Sequence, residues 1–382
     1  MTDLRRAARR FPASLLLTPV LLAALALAFA ASWPCPARAD GPPPAAPSDT
    51  LTLSPEVMAR TKARVLARDP ALMPALAALV RDADRAMTAP AESVILKPAP
   101  PPGGDLHDYW SADPDWPTAN PCASTYDRLR LRRMSRDALT LALAWYLTGN
   151  ADYAGKGTAL IWSWCCDSVT RTRPDMAHAH TRPGEPAGQP TGIIETRDLI
   201  QAAEAARILT PSPAWSPAVT RAATAWFTSY LDWLGGSAFG RSEAASKGSH
   251  GLWYDAQVTA FALYAGDTGL ARTTLDSARA RMAALLDPDA PAPCLSTLQA
   301  MASLAAMAER LGLDLWHEDA LRRAFDLARP DTPCDIPPDC ADRRYPPAYA
   351  PLFHRAAMVY KDPRYREALG PTPRDDRALL FH

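Results

Sequence analysis

Between residues 54 and 360, apolar positions return every three or four residues, in segments separated by short polar breaks. That period belongs to helices with one buried stripe. In 126–148 the stripe is Leu131, Met134, Ala138, Leu141 and Trp145, and Gly149 follows as a stop. Ser54 ahead of Pro55-Glu56-Val57 predicts a capped start with proline at the first helical position. The same reading predicts helices over 72–87, 152–166, 196–209, 218–234, 253–265, 268–286, 295–311, 316–328 and 352–360. No segment sustains two-residue alternation, so neither a β-hairpin nor a βαβ unit is expected. Short links between helices favour antiparallel pairs. Two of the links read alike, Leu147-Thr148-Gly149-Asn150-Ala151-Asp152-Tyr153 and Tyr264-Ala265-Gly266-Asp267-Thr268, a weak internal repeat that favours stacked hairpins. The expected class is all-α: an incomplete (α/α) toroid of antiparallel helical hairpins, with a groove at one end lined by inter-helix loops.

The first 39 residues depart from this pattern. Arg5, Arg6, Arg9 and Arg10 precede a mostly apolar run, 15–31, and Ala37-Arg38-Ala39 supplies small residues for cleavage before Asp40. This is the pattern of a signal peptide over 1–39 and implies a periplasmic or secreted protein. The run is also just long enough to cross a bilayer, so an uncleaved anchor stays open; no later run is. Residues 40–53 form a linker rich in Pro and Ala, and 54–382 the toroid domain. The chain carries 41 basic and 41 acidic residues; without the signal's five Arg and one Asp, 36 face 40, a net charge of about −4. That balance argues against a nucleic-acid partner. Of seven cysteines, Cys35 leaves with the signal. The other six can form disulfides in an oxidising compartment or remain buried thiols. Cys334 and Cys340 are the first expected pair, whereas adjacent Cys165 and Cys166 are poorly spaced to bridge. No Cys–His spacing suggests zinc, and no metal or cofactor is expected.

Candidate chemistry centres on Gly248-Ser249-His250-Gly251-Leu252-Trp253-Tyr254-Asp255-Ala256-Gln257. It reads as a histidine in a glycine-flanked turn before a helix, with room for a substrate to approach the backbone. His250 and Tyr254 are four apart and share a helical face, so imidazole and phenol could both move protons. The structural alternatives are a capping or packing His250 and a core Tyr254. Loop aromatics Tyr109, Trp110, Trp116 and Trp253 could stack on sugar rings or belong to the core. Arg171, Arg173, His178 and His180 share one loop, and Arg241 precedes the histidine segment. Arg128, Arg132 and Arg136 form a four-residue row that reads either as a carboxylate-binding face or as a solvated one.

These residues resemble the alginate lyase family of α/α-toroid polysaccharide lyases, most specifically in His-Gly-x-Trp-Tyr-Asp-x-Gln at His250. The likeness extends over most of the mature chain. It includes Asp108-Tyr109-Trp110, the run 142–154, Gly192-Ile193-Ile194-Glu195-Thr196, 226–234 and 360–365. The resemblance implies β-elimination on a uronate polymer. The family neutralises the uronate carboxylate, removes the C5 proton and protonates the leaving O4, with no metal strictly required. An Asn-His pair, an Arg and a Tyr do this work in the family. Here Ser249 stands where the family usually has Asn, and a Glu-Leu-x-Arg segment with a following Tyr is missing from the shortened stretch after residue 286. Only His250 carries over directly.

Three readings follow. The first is an active lyase on alginate or a related uronate polymer. In it His250, Tyr254 and Ser249 are catalytic, and Tyr109, Trp110, Arg171, Arg173, His178, His180, Arg241 and Trp253 bind substrate. The second is a catalytically impaired binder of acidic polysaccharide. The third is a helical scaffold. The expected partner is an anionic polysaccharide, with the protein acting as a monomer.

Overall fold

The Ser54 hydroxyl accepts the Val57 N–H at 3.3 Å, with Pro55 opening the first helix, as the sequence requires. The computed structural model describes residues 49–116, 118, 120, 122–284, 293–328, 350–368 and 376–381. All belong to one compact unit, Arg38–His382. Its helices are α1 (Pro55–Leu66), α2 (Met73–Thr88), α3 (Arg128–Thr148), α4 (Ala151–Ile161), α5 (Leu199–Leu209), α6 (Pro217–Gly236) and α7 (Ala238–Ala244). They continue with α8 (Gly248–Ala265), α9 (Thr268–Ala284), α10 (Leu295–Glu309), α11 (Asp319–Leu327), α12 (Ala350–Val359) and α13 (Arg364–Glu367).

Two kinds of helix separate by burial. Most positions of α3, α5, α8 and α10 are out of solvent, α5 and α8 most completely. Helices α2, α6, α9 and α11 bury one stripe. A helix apolar all round must be surrounded by other elements, whereas one stripe suffices for an outer layer. Helix α3 packs on α5, and α8 on α5 and α10, while α4 and α9 back α3 and α8 as hairpin partners. This is the all-α toroid of hairpins that the periodicity predicts.

Helix ends follow local chemistry. Gly149 and Gly266 adopt φ of 76° and 85°, the left-handed conformation that closes α3 and α8. The run after α4 widens into a π turn, Trp162–Cys166, rather than continuing as α-helix. A segment expected to be helical from 196 begins instead as a 3-10 stretch, Pro190–Asp198. Two short strands were not expected: β1 (Trp110–Ala112) pairs in parallel with β2 (His178–Thr181). At three and four residues they are too short to display alternation in sequence.

The entry to the domain is pinned by a buried acid. Glu204 of α5 accepts the backbone N–H groups of Leu51, Thr52 and Leu53 at 2.6, 3.1 and 2.8 Å. Burial pushes its carboxyl up and these bonds oppose that. Cys165 and Cys166 do not bridge each other, as their adjacency suggests, and are buried free thiols, while Cys122 and Cys294 are disulfide-bonded. The expected Cys334–Cys340 pair lies outside the described residues, as do 1–48. Among the described residues no helix is long and apolar enough to cross a membrane.

Candidate active site

The starts of the inner helices meet at one end of the ring. Arg128, in the first turn of α3, lies 3.5 Å from Glu195, just before α5. Arg132 lies 3.5 Å from Asp198, the residue that opens α5. Arg197 sits 5.9 Å from the Trp253 ring of α8, and the Trp253 indole donates to Ser296 of α10 at 3.1 Å. The first turns of α3, α5, α8 and α10 therefore surround one mouth.

His250 belongs to this mouth, but not as a turn residue. It lies inside the first turn of α8, and only Gly248 before it has positive φ, 70°. Its Nδ1 is 2.6 Å from Glu243 Oε1, with the imidazole 14% and the carboxylate 1% exposed. Glu243 comes from α7, whose short link to α8 folds it back over the histidine. Since the carboxylate accepts, the Nδ1–H donates, which fixes the tautomer of the neutral ring with Nε2 as its basic nitrogen.

A clamp holds this corner. Arg281 of α9 reaches across to pair with Asp255 at 2.9 Å and donates to the carbonyls of Ala244, at 2.9 Å, and Ser246. Burial raises the Asp255 carboxyl to about 6, and Arg281 opposes that rise. Gly251 is explained here. A Cβ would collide with the Arg281 guanidinium and the Ser246 carbonyl, so the glycine admits the clamp rather than a substrate.

The other expected residues divide. Ser249 is buried beside His250. Tyr254 lies one turn on, but its hydroxyl donates to the Leu234 carbonyl at 3.0 Å, and burial raises its pKa. His180 is buried, with Nδ1 3.1 Å from Thr191 Oγ1 and Nε2 3.2 Å from Glu195 Oε1. Tyr109 is also buried and donates to Glu195 Oε2 at 2.8 Å. Burial alone would raise the Glu195 carboxyl, yet His180 and Arg128 outweigh it and hold the group at about 2. Trp110 is fixed by its indole bond to Thr181 at 2.8 Å and an edge-on Tyr126 ring.

His178 bonds the Pro186 carbonyl at 2.9 Å. Arg173 is held by Asp105 and by Asp108, the latter at 2.6 Å. Arg241 is exposed and donates to the Gly236 carbonyl at the end of α6. Arg171 lines a cavity of about 380 Å³ on the flank of α6 whose wall does not include His250.

The row Arg128, Arg132 and Arg136 corrects a reading. It is not a solvated face: Arg128 and Arg132 are 5% and 3% exposed, and Arg132 and Arg136 converge on Asp198. Residues about 60 positions away supply the counter-charges, which the helical period cannot reveal. Sequence reading also missed Glu243 and Arg197. The signal for Arg197 was the charged run Glu195-Thr196-Arg197-Asp198 leading into an apolar helix. Burial lowers the Arg197 pKa to about 10, against Asp198, so the group stays cationic at neutral pH.

Comparison with known proteins gives a consistent picture. Residues 93–291 match the family model described as Alginate lyase. The fold is similar to the crystal structure of an alginate lyase from Bacteroides ovatus. The TM-score is 0.74 at 26% identity, over 87% of this chain and 98% of that one. A comparison with curated protein sequences gives no match.

Proposed function

The chain belongs to the alginate lyase family, and on that premise we propose that it cleaves alginate or a related uronate polymer by β-elimination. Family and fold support polysaccharide-lyase chemistry. The observation that carries the finer reading is the His250–Glu243 pair at 2.6 Å, set in the mouth where cationic Arg197 also lies.

In this scheme a uronate residue binds across the mouth with its carboxylate toward Arg197. The charge that develops there when the C5 proton leaves is the main barrier, and a preorganised cation lowers it. His250 Nε2 takes the C5 proton. Glu243 keeps the Nδ1 proton in place and stabilises the imidazolium that forms, as a buried carboxylate behind a histidine does elsewhere. The C5–H electrons form the C4–C5 double bond and the C4–O4 bond breaks. The imidazolium returns its proton to O4, because the Tyr254 hydroxyl is committed to Leu234. The buried Ser249 beside His250 is the donor we place in the family's Asn position. Half-buried Trp110 supplies the aromatic edge of the sugar site; Trp253, expected to share that role, is buried and belongs to the core.

The protein is proposed to act as an exported monomer after loss of residues 1–39. Mature protein incubated with alginate, polymannuronate and polyguluronate should generate ultraviolet absorbance from the unsaturated product. No increase on any polymer at high enzyme concentration would end this reading. The engaged phenol of Tyr254 favours one alternative, an acidic-polysaccharide-binding protein, which retained polymer binding without product would support.

A further inference from the structure

We infer that the cavity on the flank of α6 is a second, non-catalytic binding site for a uronate-bearing saccharide. At about 380 Å³ it falls in the range of small-ligand sites and accommodates a sugar residue. Its wall combines three surfaces that a uronate needs. Exposed Ala225 and the small accessible edge of the otherwise buried Trp226 form an apolar floor on α6, the Ser229 hydroxyl lies beside them, and Arg171, Arg173 and His107 complete the wall. The Trp226 ring is immobilised by its indole bond to the Thr172 carbonyl at 2.7 Å, so the apolar wall is preformed.

The cations differ in what they can offer. Arg173 is spent on Asp105 and Asp108. Arg171 is exposed, and its guanidinium makes no hydrogen bond or ion pair among the described residues. A planar, permanently charged fork of this kind suits a carboxylate. His107 adds a complementary group. Its Nδ1 donates to the Arg171 carbonyl at 2.8 Å, which leaves the neutral ring's Nε2 as an acceptor for a sugar hydroxyl. Carboxylate on Arg171, hydroxyls on His107 and Ser229, and the apolar floor of Ala225 together describe one uronate unit. The catalytic pair His250–Glu243 is not in the wall, so the site would hold polymer without reacting with it.

The choice of ligand rests on the proposed function, but the test does not require turnover. Full-length mature protein carrying His250→Ala is run through gels containing polymannuronate, with and without a second change. Arg171→Glu should weaken retardation about tenfold, the scale of one lost charge-assisted contact. Ala225→Trp, at an exposed position, fills the cavity without touching a charge and should give a similar loss. Polymer with its carboxyl groups reduced to alcohols should show no dependence on Arg171. Retardation within about twofold of the parent for both variants would overturn the site. An equal Arg171 effect on the reduced polymer would overturn its assignment to uronates. Absence of unsaturated product from the wild-type protein would sink the elimination reading and leave this one standing.

Discussion

Two histidine–glutamate pairs sit at the same end of the ring, and their surroundings set them apart. His180–Glu195 is closed. Both imidazole nitrogens are engaged, and the carboxylate also takes Tyr109 and lies against Arg128. His250–Glu243 is the more exposed of the two at the imidazole, 14% against 2%, and rests on a carboxylate held by a different helix. The first pair has its proton positions fixed by neighbours and can change charge only by disrupting them. The second presents more of its imidazole to solvent, over a carboxylate that is itself buried. A short histidine–carboxylate distance alone therefore does not identify a reactive group; the exposure of the imidazole counts as well.

The sharpest way to break this comparison is to remove each imidazole. His250→Ala should lower kcat on polymannuronate by about 10²- to 10⁴-fold per folded molecule, with some loss of stability because buried Glu243 loses its partner. His180→Ala should cost stability but spare turnover per folded molecule. Equal kinetic losses would show that the two pairs have not been told apart.

Replacing the carboxylates extends the test. Glu195→Gln leaves Arg128 and His180 without a buried counter-ion and should cost about 3–5 kcal/mol in urea unfolding. Glu243→Gln should be read mainly in kcat, with KM little changed.

Acid stability should separate the regions with opposite signs. Glu195 is held at about 2, below its ordinary value. Its contribution is complete above the unfolded pKa and is lost as pH falls from about 4.5 to 2, an effect on the order of 3 kcal/mol. Asp255 in the His250 clamp is raised to about 6, so the folded state binds its proton more tightly than the unfolded one. Its contribution therefore favours the fold as pH falls through 6. Unfolding titrations of Glu195→Gln and Asp255→Asn should each remove one of these slopes. The smallest effect expected is Gly251→Ala, where a methyl group forced against Arg281 and Ser246 should cost about 1–3 kcal/mol.

Much of the scaffold was readable because its causes are local. The Ser54 cap, the glycine stops and the period of α3, α6 and α9 are written within a few residues of where they act. The site was harder. His250 was legible from its own segment, yet its meaning depends on Glu243, which only the α7–α8 fold-back brings to it. Arg128 and Arg132 were visible as a row, but their burial depends on Glu195 and Asp198 arriving from another loop. The same limit applies to Gly251, whose reason for being small is an arginine 30 residues later on the neighbouring helix.

The shared orientation of α3, α5, α8 and α10 has an electrostatic consequence apart from any side chain. Each peptide unit contributes a small dipole, and four aligned helices turn their amide-rich ends toward one opening. Part of the pull on an approaching polyanion is thus built into the main chain. Stripping the rim of arginines would leave this bias in place, weakened by added electrolyte but beyond the reach of substitution.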